Sequence, residues 1–271
     1  MTLIWLRVAL ICYAVGLLYA LVALTRTHEV LTKIALHASY LGMVFHFVSL
    51  VEAIRETGQL SLASVHNSES LLAFLIMVVF MLVYIVYKTT SHGIIVFPLV
   101  FLLTFVASTG QQPLVFTSAA VKHGWLAAHI FAIFMGYAAL FVSFAASLLY
   151  LLQERALKAK TSSGVFSRLP ALQVIDDIGY RSLMFGFPFM TLGLIFGSVV
   201  AEAAYHHVDF QDPKILLSVL MWAVYMVMVY TRLSVGWRGR RAAVLASVAF
   251  AAAIVAWVAN YFSGMHRFIA S

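Results

Sequence analysis

Eight apolar runs set the terms on which this chain can fold: Leu3–Leu24, Leu31–Ala53, Leu71–Tyr87, Ile94–Ser108, Trp125–Leu152, Leu183–Ala203, Ile215–Leu233 and Ala242–Phe262. A helix needs about 20 apolar residues to cross a bilayer. Inside hydrocarbon the backbone must satisfy its own hydrogen bonds, which leaves helices or closed barrels. Barrel strands alternate polar and apolar residues, whereas these runs are apolar all round. The predicted fold is therefore all-α, a polytopic integral membrane helix bundle of about eight spans. With 63% hydrophobic and only 10% charged residues, no soluble domain could bury what the chain carries. The fourth run is short and holds Pro98. The fifth is long enough for its helix to protrude from the bilayer. Pro188 sits early in the sixth, where a missing N–H costs least.

The formal net charge of +7 is not spread evenly. The segments after runs one, three, five and seven hold Arg26, Lys33, Lys88, Arg155, Lys158, Lys160, Arg168, Arg181, Arg232, Arg238, Arg240 and Arg241. The opposite side holds Arg55, Lys122, Lys214 and Arg267, with Arg7 near the first end. Basic loops stay inside, so both termini and the Gly197–Trp222 loop are predicted outside the cell's inner membrane. No basic patch is interleaved with aromatics, which argues against nucleic acid as a partner. The first run lacks a small-x-small cleavage site and reads as an uncleaved span. Cys12, the one cysteine, rules out an internal disulfide and a Cys-x-x-Cys-His haem attachment, and reads as helix packing. The inner segment Gln153–Ser182 reads as a charged extension of the fifth helix. A short amphipathic helix on the membrane surface follows, with Leu169, Leu172, Ile175 and Ile178 about three apart. No repeat or low-complexity tract divides the chain, so residues 1–271 are predicted to form a single membrane domain.

Polar side chains are expensive in lipid, so ten histidines need explaining. His28 and His92 fall in inner loops and are expected to be solvated. His37 and His46 lie nine residues apart on one helix, hence on opposite faces, and neither can join the other on one metal. The simple reading of His46 is a histidine bonded to a neighbouring helix. His66, His123, His129, His206, His207 and His266 all map to the outer side. His129 sits one turn past Trp125, an interface anchor; His266 follows the last span in SGMHRF. Two imidazoles on separate helix ends suit the axial positions of a haem iron, and they equally suit wet, unligated interfacial histidines.

Other chemistries fit less well. Zinc wants three or four closely spaced ligands, and no His-x-x-x-His or cysteine cluster occurs. Adjacent His206 and His207 point apart in an extended loop. No Gly-x-Ser-x-Gly supports a serine nucleophile. Gly236–Arg241 lacks the pattern of a phosphate loop and reads as a topology and lipid-phosphate anchor. Paired broken helices, the mark of many transporters, are not seen.

Several segments together resemble a known family. They are HNSESLLAF at His66–Phe74, AAHIFAIFMGYAAL at Ala127–Leu140, LPALQVIDDIGYR at Leu169–Arg181, GFPFMTLGLIFGSVVA at Gly186–Ala201, Asp212-Pro213-Lys214, GWRGRRAA at Gly236–Ala243 and NYFSGMHRF at Asn260–Phe268. In order and spacing they resemble the CcsA/ResC-like cytochrome c assembly family, and within it the divergent YpjD/HemX-like branch. The resemblance implies a non-covalent haem b at the outer face, with His129 and His266 as axial ligands. It implies a pocket rim drawn from Asp212, Pro213, Lys214, His206, His207 and Trp125. The family's tryptophan-rich loop reads here Val200, Tyr205, Asp209 and Gln211, and a histidine common late in the seventh span is Tyr230. Tyr230 and His46 are the secondary candidates within the membrane. These departures imply a haem-handling component of cytochrome c maturation rather than a complete attachment enzyme. The implied partners are lipid, a CcsB/ResB-like membrane protein and apocytochrome c. The alternative is a HemX-like regulator or scaffold that docks a soluble tetrapyrrole-pathway enzyme at the inner face.

Overall fold

The computed structural model describes residues 2–26, 29–57, 65–110, 124–160, 169–205 and 213–262. They form eight helices: α1 (Thr2–Thr25), α2 (Glu29–Thr57), α3 (Val65–Tyr87), α4 (Gly93–Ser108), α5 (Trp125–Lys158), α6 (Leu172–Tyr205), α7 (Pro213–Leu233) and α8 (Arg240–Phe262). No strand occurs among the described residues. Helices α1, α2, α3, α5, α6 and α7 are long and apolar enough to cross a membrane, and α4 is a shorter apolar helix. The chain is an all-α polytopic membrane protein. It divides into two compact units, Met1–Val115 with Leu152–Val174, and Phe116–Leu151 with Ile175–Ser271.

In the first unit, α1 and α2 run antiparallel and touch where side chains are small. A Cβ on Gly16 would collide with Ser39, and one on Gly42 would lie 2.8 Å from the Tyr13 ring. Trp5 stacks on Phe45 at 5.7 Å. Phe80 of α3 meets Phe97 of α4 edge-on at 4.9 Å.

The second unit is built on α5 and α6, which pack antiparallel along a row of glycines. On α6, Gly179, Gly186 and Gly193 recur every seventh residue, with Gly197 a turn beyond. Each faces α5: Gly179 near Ser143 and Ala146, Gly186 against Ala139, Gly193 against Ile133, and Gly197 against His129. Gly136 of α5 returns the contact to Met190. Lipid gives helices no hydrophobic reason to associate, so close backbone approach through small residues supplies dispersion instead. Ser143 Oγ donates to the Gly179 carbonyl at 2.9 Å, and the Tyr225 hydroxyl of α7 donates to the Gly136 carbonyl at 3.2 Å. Phe250 of α8 stacks on Phe144 at 4.2 Å.

Three expectations are corrected. The amphipathic segment around Leu172–Ile178 is not a separate surface helix; it is the start of α6, which runs unbroken for 34 residues. Its polar groups are used: Asp176 holds Arg232, and the Gly179 backbone carbonyl accepts from Ser143 Oγ. Pro188 therefore lies mid-helix rather than in a first turn. His92 is not solvated but 1% exposed, its ring 4.7 Å from Phe80. The α3–α4 connection is only Lys88–His92, and Gly93 lets Phe80 close over it, with a Cβ there 3.2 Å from the ring.

Candidate functional site

His129 occupies the second turn of α5 and faces Gly193 and Gly197 of α6. Its Nδ1 lies 2.7 Å from the Gly193 carbonyl oxygen. A carbonyl can only accept, so Nδ1 carries the proton and Nε2 keeps its lone pair. One turn along α6, a Cβ on Gly197 would lie 2.8 Å from His129 Cε1 and 2.9 Å from Nδ1. The imidazole thus sits in a slot that exists because position 197 carries no side chain. Its orientation is fixed by a backbone group that cannot rotate away.

Aromatic surface adjoins this slot. Trp125, one turn before His129, is 48% exposed and lies 5.6 Å from Phe196 of α6. Trp222 of α7 donates from Nε1 to Thr191 Oγ1 at 3.0 Å, tying α7 to the same stretch of α6. One imidazole with a committed tautomer beside an aromatic pair can bind a borderline metal through Nε2 or carry a flat apolar ring.

The other histidines are arranged differently. His46 is fully buried in the first unit; Nε2 meets Ser70 Oγ at 2.9 Å and Nδ1 makes a long 3.4 Å contact with the Tyr13 hydroxyl. Both nitrogens are engaged, which leaves none for a metal. His37, on the opposite face of α2, is exposed and bonds the Lys33 carbonyl at 2.6 Å. His66 Nδ1 donates to the Val106 carbonyl at 3.0 Å and packs against Gly110. Tyr230 is 60% exposed on α7. His206, His207, Asp212 and His266 lie outside the described residues; Pro213 and Lys214 open α7. Sequence reasoning missed Gly193, Gly197 and Phe196, although glycines at seven-residue spacing in an apolar helix were a readable sign of a close helix contact.

Fold and site together define a class: a multi-pass helical membrane protein presenting a backbone-oriented histidine near the end of a transmembrane helix pair. Residues 62–267 match the family described as "Cytochrome C assembly protein". The chain belongs to that family. It is 28% identical over 227 residues to the "Cytochrome c biogenesis protein CcsA" of Guillardia theta, covering 75% of this chain and 73% of that protein. The protein of the same name from Heterosigma akashiwo is 30% identical over 230 residues, 70% of each chain. That from Parasynechococcus marenigrum is 33% identical over 160 residues, 51% of this chain and 52% of the relative, so this match spans about half its length.

Proposed function

We propose that the protein handles haem at the outer face of a cell's cytoplasmic membrane in cytochrome c maturation, with His129 as one axial ligand. The observation that carries this reading is the 2.7 Å bond from Nδ1 to the Gly193 carbonyl. Histidines that ligate metals almost always give their second N–H to such an acceptor, which fixes the ring and raises its basicity. His266, following α8, is the proposed second ligand. Trp125 and Phe196 offer the apolar surface that a porphyrin needs, in place of the tryptophans missing from the Val200–Gln211 segment. Asp212, Pro213 and Lys214, with His206 and His207, complete the proposed rim. Bound haem b would supply iron for ligation and electron exchange, while the chain contributes orientation, ligand basicity and an aromatic floor. The proposed recipient is apocytochrome c, in keeping with relatives named for cytochrome c biogenesis, and a CcsB/ResB-like membrane protein is the proposed partner. Purified protein is expected to show a Soret band that is lost in both His129→Ala and His266→Ala. A protein that stays colourless after reconstitution with haem would overturn the reading.

A further inference from the structure

The first unit contains a cavity that the haem reading does not use. It measures about 200 Å³ and is lined by Ala20, Ala23, Thr32, Ala35, Leu36, Thr90, Ser91, Ile94, Phe97 and Leu169. Its origin is local. Helices α1 and α2 are in tight contact at Gly16 and Ser39, and one to two turns on their facing residues are Ala20, Ala23 and Ala35, too short to close the gap. The α3–α4 turn supplies the polar edge, where the Thr89 and Ser91 hydroxyls bond each other at 2.9 Å. Space for about seven water-sized groups is well beyond an ordinary packing defect.

The lining divides by chemistry. Alanine, leucine, isoleucine and phenylalanine side chains form most of the wall, and Thr32, Thr90 and Ser91 offer hydroxyls at one side. Among the described residues, no acidic side chain lines it. The segments that bound it carry Arg26, Lys33 and Lys88, all exposed; Glu29 pairs with Lys33 at 2.9 Å, and Lys88 Nζ lies 5.8 Å from the Tyr84 ring. His92, in the same turn, is buried against Phe80 with no well-formed hydrogen bond at either ring nitrogen. Apolar walls, hydroxyls and surplus positive charge at the end of a transmembrane hairpin match an amphiphile with an anionic head and a hydrocarbon tail.

We infer that this cavity is a specific site for an anionic phospholipid of the surrounding bilayer. An acyl chain lies against Ala20, Ala23, Leu36, Ile94 and Phe97, and the phosphate is held at Thr90 and Ser91 under Lys88 and Arg26. Water alone, or any lipid regardless of charge, are the competing occupants. The full-length protein, purified in mild detergent and supplied with phosphatidylglycerol or phosphatidylcholine vesicles, tests this by native mass spectrometry. Phosphatidylglycerol is expected to stay bound through detergent exchange, with about tenfold weaker retention in Ala20→Phe, which fills the space. Should Ala20→Phe misfold, the milder Ser91→Ala and Lys88→Gln variants are expected to lower phosphatidylglycerol retention selectively. Equal retention of the two lipids, no retained lipid in the wild type, or unchanged retention in folded variants would overturn the inference. Haem absorbance is expected to be the same in all of these variants, which separates this site from the one at His129.

Discussion

Arg232 and Asp176, 56 residues apart, form a forked ion pair in which NH2 lies 2.7 Å from Oδ1 and NH1 3.1 Å from Oδ2. Their side chains are only 9% and 18% exposed. The same guanidinium donates to the Trp237 carbonyl at 3.0 Å and to the Asp176 carbonyl at 3.2 Å, and lies 5.5 Å over the Tyr180 ring. Asp176 Oδ1 in turn accepts from the Gly239 amide at 3.0 Å. The pair thus ties the start of α6, the end of α7 and the turn into α8. That turn bends through Gly236 and Gly239, both at positive φ. Removing one partner leaves the other charge nearly buried. Arg232→Ala or Asp176→Asn is expected to cost about 3 kcal/mol, read as a lowered unfolding temperature in detergent. Arg232→Lys keeps the charge but not the fork, and is expected to recover less than half of that loss.

If the proposed function holds, the imidazole slot is expected to matter more for haem retention than for folding. Gly197→Ala places a methyl 2.8 Å from His129 Cε1 and must displace the ring. If His129 ligates iron, this variant is expected to hold haem about tenfold more weakly, with a shifted Soret maximum. Gly186→Ala on the same helix, remote from the ring, is expected to leave the spectrum of bound haem unchanged. A haem titration of the two variants side by side separates the two effects.

Gly186 and Tyr225 test the packing of the second unit alone. A Cβ on Gly186 would collide with the Tyr225 hydroxyl and lie 2.7 Å from Ala139 Cβ. Gly186→Ala is expected to destabilise by about 1–3 kcal/mol. Tyr225→Phe loses the bond to the Gly136 carbonyl and is expected to cost about 1 kcal/mol. Combined, the two are expected to cost less than their sum, because the phenylalanine vacates the space the new methyl needs.

His92 gives the chain an acid-sensitive element. Burial pushes its pKa from the ordinary 6.5 down to about 4, an effect the Phe80 backbone only partly offsets. The folded chain therefore holds it neutral over a range where the unfolded chain takes up a proton. Its contribution to stability is complete above pH 6.5 and is lost as pH falls through about 4, amounting to about 3 kcal/mol. Thermal scans at pH 7 and pH 4.5 are expected to show a smaller acid-induced drop for His92→Leu than for the wild type.

Orientation is open to direct labelling. With Cys12→Ala as background, a cysteine replacing Glu202, exposed near the end of α6, is expected to react with an impermeant maleimide from outside sealed cells. One replacing Ser234, exposed after α7, is expected to react only after permeabilisation.

The helices were readable in the sequence because hydrocarbon leaves few alternatives. Run Ile94–Ser108 and α4 differ by one residue, and Trp125 opens both the fifth run and α5. At Leu172–Ile178, apolar residues about three apart suit a surface helix and the first turns of a spanning helix equally well. Here Asp176 neutralises an arginine on α7, and Asp177 pairs with Arg181 at 3.0 Å within the same helix. Such a pairing depends on which helix faces come together, and hydropathy is blind to that. His92 was misjudged for a related reason, since loop residues are usually wet and only the tight turn against Phe80 makes this one dry. At His129 the residue was readable and its support was not. The Gly193 carbonyl is a backbone group whose availability depends on how closely α5 and α6 approach.

The seven-residue spacing of Gly179, Gly186 and Gly193 has a mechanical corollary. Where two backbones touch along most of their length, neither can roll or slide without steric collision, so the pair behaves as a stiff strut. Any motion that accompanies the proposed haem handling is then expected to arise elsewhere, with His129 held stationary on the α5–α6 pair.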